Sequence, residues 1–254
     1  MKKTQIAEMS WLEFRDIMTF QDVIIIPVGA NAVHGAHNPL GVDAILAREM
    51  AKRIGEEAGA PVSPLIPMAA NREAAELNGT ISFAPMLVRQ VVWEVCESYI
   101  AHGAKRFFFV NGSEGNCDPL KMVCADLQLK YDDVLGVQSE WWKVLSEISP
   151  YACEDRGGLH ETSALLYVDE TLCDMDRVEQ NSDKTLTSRL TFHSGLEFSG
   201  VRIPACGMTM GKFTGNGCFG PSAKEAGKEV GAAMFDAYVD YCARLICELR
   251  KIHL

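Results

Sequence analysis

The chain's 254 residues can bury a sizeable core, and no shift in composition divides them, so a single domain over residues 1–254 is expected. Apolar residues at 48% and charged residues at 23% exclude the disordered and collagenous classes. A net charge of −10 argues against nucleic acid or an anionic membrane as partner, since either demands a basic face, and leaves a small molecule as the expected ligand.

Residues 1–10 carry Lys2 and Lys3 but no continuous apolar run, so no signal peptide is read there. No stretch nears the roughly 20 apolar residues of a membrane span. The expectation is a cytoplasmic protein. Its nine cysteines (Cys153 and Cys206 among them) form no C-x-x-C pair and read as reduced thiols, several of them on apolar helix faces.

Taken in chain order, Asp22 to Gly29 is a β-branched run ended by Pro27 and Gly29, the signature of a strand buried on both faces. Val42 to Ala58 has helical period, with Asp43 near its start and Gly59 past its end. Val62 to Met68 is a second strand candidate, weakened by Pro64 and Pro67. Ser82 to Ala101 predicts an amphipathic helix with Ser82 as N-cap. Lys105 to Val110 reads as a strand, Cys117 to Tyr131 as a helix and Val134 to Gln138 as a strand. Glu161 to Val168 and Lys224 to Lys251 are helical, and Asp176 to Arg189 has loop character. This alternation predicts an α/β fold, a three-layer α/β/α sandwich on a mainly parallel sheet. Ligands should then bind in the loops after Val28, Val110 and Gln138.

The loop after the first strand, Gly29 to Asp43, gathers Asn31, His34, His37 and Asp43. Imidazole plus carboxylate is the usual donor set for zinc or manganese, though two histidines in a Gly- and Pro-rich loop are more often structural. The loop is similar to the stretch P-x-G-S-x-E-Q-H-G-P-H-L-P-L-G-T-D of the creatininase (creatinine amidohydrolase) family, with Pro27, Gly29, His34, Gly35, His37, Pro39, Leu40, Gly41 and Asp43 in register. Asn78 to Ser82 resembles that family's P-G-T-I-S segment, Asn111 to Asn116 its N-G-H-G-G-N loop and Gly157 to Ser163 its A-G-E-x-E-T-S segment. Gly217 to Gly227 resembles a family segment before the last helix.

The resemblance implies a hydrolase acting on a small cyclic amide or related polar ring, a hexameric assembly and a binuclear metal centre. Carried over by position, the family histidine falls on His34 and the bridging aspartate on Asp43. Three other donors fall on Ala32, Ser113 and Leu159, of which two cannot coordinate and the third is a poor ligand. Three readings stay open. One is a single-metal enzyme in which His34 and Asp43 are joined by a new donor, with Glu114 favoured over His160, Glu161 and His37. Another is a metal-free enzyme with acid and base drawn from His34, Asp43, His160 and Glu161. The last is a non-catalytic binding or assembly protein on the retained scaffold.

On the first reading His34, Asp43 and Glu114 hold one zinc or manganese ion, Glu161, His160 and His37 are the catalytic candidates, and Asn31, Ser113, Asn116, Trp142 and Arg156 line the substrate. Trp142 follows a strand and offers an indole for stacking on a flat ring, although adjacent tryptophans on a strand face opposite ways. Arg156 stands where the family has a proton-transferring histidine, and a permanent cation there suits an anion. No Walker or G-x-S-x-G motif is present, and no nucleotide cofactor is expected.

Overall fold

The computed structural model describes residues 3–151, 155–179, 184–187, 189–192, 196–203, 209–212 and 214–254. Strands β1 (Val23–Val28), β2 (Arg106–Asn111) and β3 (Leu135–Glu140) form a parallel sheet in that order. Val23 pairs with Arg106 and Arg106 with Leu135, and the register runs unbroken to Val28, Asn111 and Glu140. All residues of β1 and β2 are buried, as strands covered on both faces require.

Strand periodicity divides those residues between two cores. Val23, Ile25, Phe108 and Val110 point into one core, with α2 (Val42–Ala58), α5 (Trp141–Ile148), α6 (Leu159–Asp169) and α7 (Lys228–Leu249). Ile24, Ile26, Val28, Phe107 and Phe109 point into the other, with α3 (Pro85–Ile100) and α4 (Cys117–Lys130). The result is the expected α/β/α sandwich.

Several expectations are corrected. Residues 62–66 form no continuous strand, because Pro64 has no N–H to offer. The segment still runs parallel to β1, through Ser63 N–H to the Ile25 carbonyl (2.8 Å) and Ile66 N–H to the Pro27 carbonyl (3.0 Å). Helix α3 begins at Pro85 with Ala84 as N-cap, not at Ser82, since proline suits the first helical position. Trp141 and Trp142 lie just past β3, as read from the sequence, and open helix α5.

The stretch read as loop over 176–189 contains strand β4 (Lys184–Thr187), while 180–183 and 188 lie outside the described residues. With β5 (Leu190–Phe192), β6 (Leu196–Phe198) and β7 (Val201–Ile203) it makes an antiparallel sheet in chain order, which the sequence reading did not foresee. Also unforeseen is α1 (Trp11–Met18), started by a capping box in which Ser10 and Glu13 bond each other's backbone N–H groups. Seven described cysteines are free thiols, and Cys153 and Cys206 lie outside the described residues. No helix among the described residues is long and apolar enough to cross a membrane.

Candidate active site

Three elements converge beyond the carboxyl end of β1. The loop over 29–41 is fastened by Ala32 N–H to the Leu40 carbonyl (2.8 Å) and by Ile81 N–H to the Asn31 carbonyl (2.9 Å). It carries His34. Asp43 lies in the first turn of α2 and Glu161 in the first turn of α6, so two helix N-termini present carboxylates, the charge their dipoles favour. One donor atom from each of His34, Asp43 and Glu161 lies within 4.8 Å of the others.

The ring of His34 is fixed by its second nitrogen. Nδ1 is 2.9 Å from the Ala32 carbonyl, which only accepts, so Nδ1 carries the hydrogen and Nε2 faces the two acids. Nε2 lies 2.9 Å from Asp43 Oδ1 and 3.7 Å from a Glu161 oxygen. Neither Nε2 nor Asp43 Oδ2 has an aligned hydrogen-bond partner, although both are buried. Glu161 accepts from the Gly157 N–H at 2.6 Å. Gly157 takes a left-handed φ of 56°, and a Cβ there would come within 2.6 Å of the His34 carbonyl oxygen, so this approach needs glycine.

Burial opposes charge on all three groups, and their neighbours decide the outcome. His34 is nevertheless held above its ordinary value because the Asp43 and Glu161 carboxylates outweigh burial. Asp43 is held below its ordinary value, chiefly by His34. Glu161 is pushed up to about 7, first by burial and then by Asp43 and Asp155 beside it. The cluster thus sets a histidine and an aspartate that favour each other's charged forms beside a carboxyl raised to about 7.

The donors fit one divalent ion. His34 Nε2 and Asp43 Oδ2, buried without aligned partners within one group of donors, are what an ion would satisfy, and one imidazole with two carboxylates leaves a coordination position open. They do not fit a binuclear centre built in the family manner. Ala32 contributes only its carbonyl to His34, Leu159 is apolar, and the Ser113 hydroxyl donates to Asn71 Oδ1 at 3.3 Å.

The acid that the structure brings beside His34 and Asp43 is Glu161; Glu114, favoured from the sequence, is exposed at the start of a 3-10 turn and stands outside the group. His37 is also outside it. Its Nε2–H bonds the Gly157 carbonyl at 3.0 Å, and Thr162 Oγ1 accepts from Asn38 Nδ2 at 2.9 Å, so the two side chains tie the loop to α6. A Cβ on Gly35 would come within 2.8 Å of His37 Nδ1, so that nitrogen faces its own loop rather than the acids. His160 Nδ1 lies 3.6 Å from Asp155 Oδ2, which already accepts the His160 backbone N–H at 2.7 Å. Asp155, unnoticed in the sequence, thus holds the first turn of α6; an acid shortly before a helix start was the available signal.

Of the substrate candidates, Asn31 and Asn116 brace backbone instead, through the Gly79 and Gly29 carbonyls at 2.9 and 3.0 Å. Ser113 lies beside Asp43 and helps keep that carboxyl low. Trp142 packs edge-on against Trp141, with ring centres 6.1 Å apart, on the side of the first core. Arg156 stands over the loop, its Nε–H donating to the Val33 carbonyl at 3.1 Å.

The chain is similar to known proteins over nearly its whole length. The creatininase family model, described as creatinine amidohydrolase, matches residues 7–246. Creatinine amidohydrolase of Pseudomonas putida is 26% identical over 269 residues, covering 97% of each chain. Mycofactocin precursor peptide peptidase of Mycolicibacterium smegmatis is 29% identical over 168 residues, covering 63% of this chain and 64% of that one. A solved structure described as "Creatininase Mn" superposes with a TM-score of 0.75 at 25% identity, covering 99% of this chain and 100% of that one. With its sandwich fold, its family motifs in order and a match over nearly its whole length, the chain belongs to the creatininase family of carbon–nitrogen hydrolases.

Proposed function

We propose that this protein is a metal-dependent hydrolase that opens the amide bond of a small polar substrate, a cyclic amide in the first instance, using one divalent ion per site. The observation that carries this reading is the buried convergence of His34, Asp43 and Glu161, in which His34 Nε2 and Asp43 Oδ2 lack aligned partners. Buried polar atoms are ordinarily paired, and an ion of the kind named for the manganese creatininase is the partner this donor set suits. When bound, the ion acts as a Lewis acid on the acyl oxygen.

The chain's own part is to place the donors. The Ala32 carbonyl fixes the His34 tautomer, the first turns of α2 and α6 fix the acids, and the Gly157 N–H orients Glu161. The incomplete family donor set argues against creatinine itself as the substrate.

A second reading, hydrolysis of a linear peptide amide, is favoured by the similarity to the mycofactocin precursor peptide peptidase. Rates measured with zinc or manganese on lactams, hydantoins and short peptides decide between the two. Turnover of ring amides that falls by about 100-fold or more in Asp43→Ala supports the first. Turnover confined to peptides supports the second, and activity unchanged in Asp43→Ala overturns both. Assembly into homo-oligomers belongs to the same proposal, on family resemblance.

A further inference from the structure

Arg156 is 9% exposed and forms no ion pair among the described residues. Its Nε–H is used on the Val33 carbonyl, one residue before His34, and its buried Nη2 has no hydrogen-bond partner. Its backbone is fixed as well, exchanging N–H···O bonds with Phe219 at 3.1 Å in both directions. A guanidinium cannot shed its proton to escape burial, so holding one there without a close anion is costly.

The nearby acids offset its charge only at a distance: Arg156 helps to hold the Asp43 carboxyl low, but no acid forms an ion pair with it among the described residues. Asp43 is paired with His34, Glu161 with the Gly157 N–H, and Asp155 with the His160 N–H. His34 (1% exposed) and Asp43 (3%) are the most deeply buried members of the cluster, Glu161 and Arg156 (9% each) the less covered ones, and the Arg156 side chain is anchored one residue from His34.

We infer that the substrate is an anionic amide, bearing a carboxylate that Arg156 binds while the scissile carbonyl lies at His34, Asp43 and Glu161. This rests on the hydrolase reading of the same site and narrows its substrate class. Planar N–H groups of arginine match carboxylate geometry, which a lysine or a neutral donor does not reproduce. The reaction is ordinary hydrolysis: water's oxygen joins the acyl carbon, the C–N bond breaks, the nitrogen takes a proton, and the carboxylate on Arg156 is unchanged.

The test compares size-matched probes, 5-oxoproline with 5-oxoprolinamide and hydantoin-5-acetate with hydantoin-5-acetamide. Binding is measured by calorimetry and turnover by initial rates on zinc-loaded protein, alongside zinc content. The acid of at least one pair should bind about tenfold or more tighter than its amide. Arg156→Gln should abolish that ratio and Arg156→Lys should restore part of it, with circular dichroism checking the fold of each.

A role for Arg156 in stabilising only the reaction's oxyanion would slow acid and amide alike. Equal binding of acid and amide in both pairs, or binding of neither acid, overturns the inference, and the native protein alone gives that answer if a variant does not fold. Acid-selective binding without turnover overturns the hydrolase reading and leaves the anion site standing.

Discussion

His34 owes its usefulness to a bond on the far side of its ring. With Nδ1–H committed to the Ala32 carbonyl, Nε2 has no choice but to face Asp43 and Glu161. In metal-free protein this packing carries a cost that depends on pH. Glu161 is raised from 4.5 to about 7, so between those values the unfolded chain releases a proton that the folded chain keeps. Stability from this group is therefore undiminished below the lower value, declines as pH rises, and is at its lowest above the upper one.

Glu161→Gln should accordingly stabilise chelator-treated protein by up to about 3 kcal/mol near pH 8 and by almost nothing near pH 4, as read by urea denaturation. A gain equal at both pH values would show that the buried charge is not the cause. Sequence alone made His34 and Asp43 legible, because their spacing matched a known motif. It favoured Glu114 over Glu161 as the third donor, since nothing in a linear pattern shows that the α6 N-terminus meets the β1 loop while Glu114 lies exposed outside that group.

The elements that hold these residues are ordinary in pattern, and that is why most of them could be read. The β-branched run of β1 and the helical period of α2, closed by a left-handed Gly59, are local signals that packing reinforces. Less legible were the short, weakly patterned pieces: α1 depends on its cap, and the antiparallel strands of three or four residues depend on one another.

The position of Glu161 also depends on how α6 lies against α7. Gly231 permits that crossing, because a Cβ there would sit 2.0 Å from the Ser163 carbonyl oxygen, two residues beyond Glu161. Gly231→Ala should cost about 1–3 kcal/mol in urea unfolding and weaken metal binding by displacing α6. Lost stability with unchanged affinity for zinc would show that the site tolerates movement of that helix.

Across the whole molecule, the two cores on either side of the sheet make a rigid base, and the proposed ion lies where three separate chain segments meet. An ion that binds only the folded arrangement must stabilise it, by about 2.7 kcal/mol at a free concentration one hundred times its dissociation constant. Zinc or manganese should thus raise Tm in native protein, and not in Asp43→Ala. Binding near neutral pH should also release protons, because the ion displaces the fraction held by Glu161; calorimetry in buffers of differing ionisation enthalpy reads that number directly. Sedimentation should give a mass that is a multiple of 27.9 kDa, as the family resemblance implies, and a monomer at micromolar concentration would contradict it.

The most direct test of the central claim is the metal content of purified protein, measured by elemental analysis after metal loading and desalting. The account predicts about one zinc or manganese per chain in native protein and in Glu114→Ala, and well under that in Glu161→Ala. Two ions per chain, none, or full retention by Glu161→Ala with loss in Glu114→Ala would contradict it.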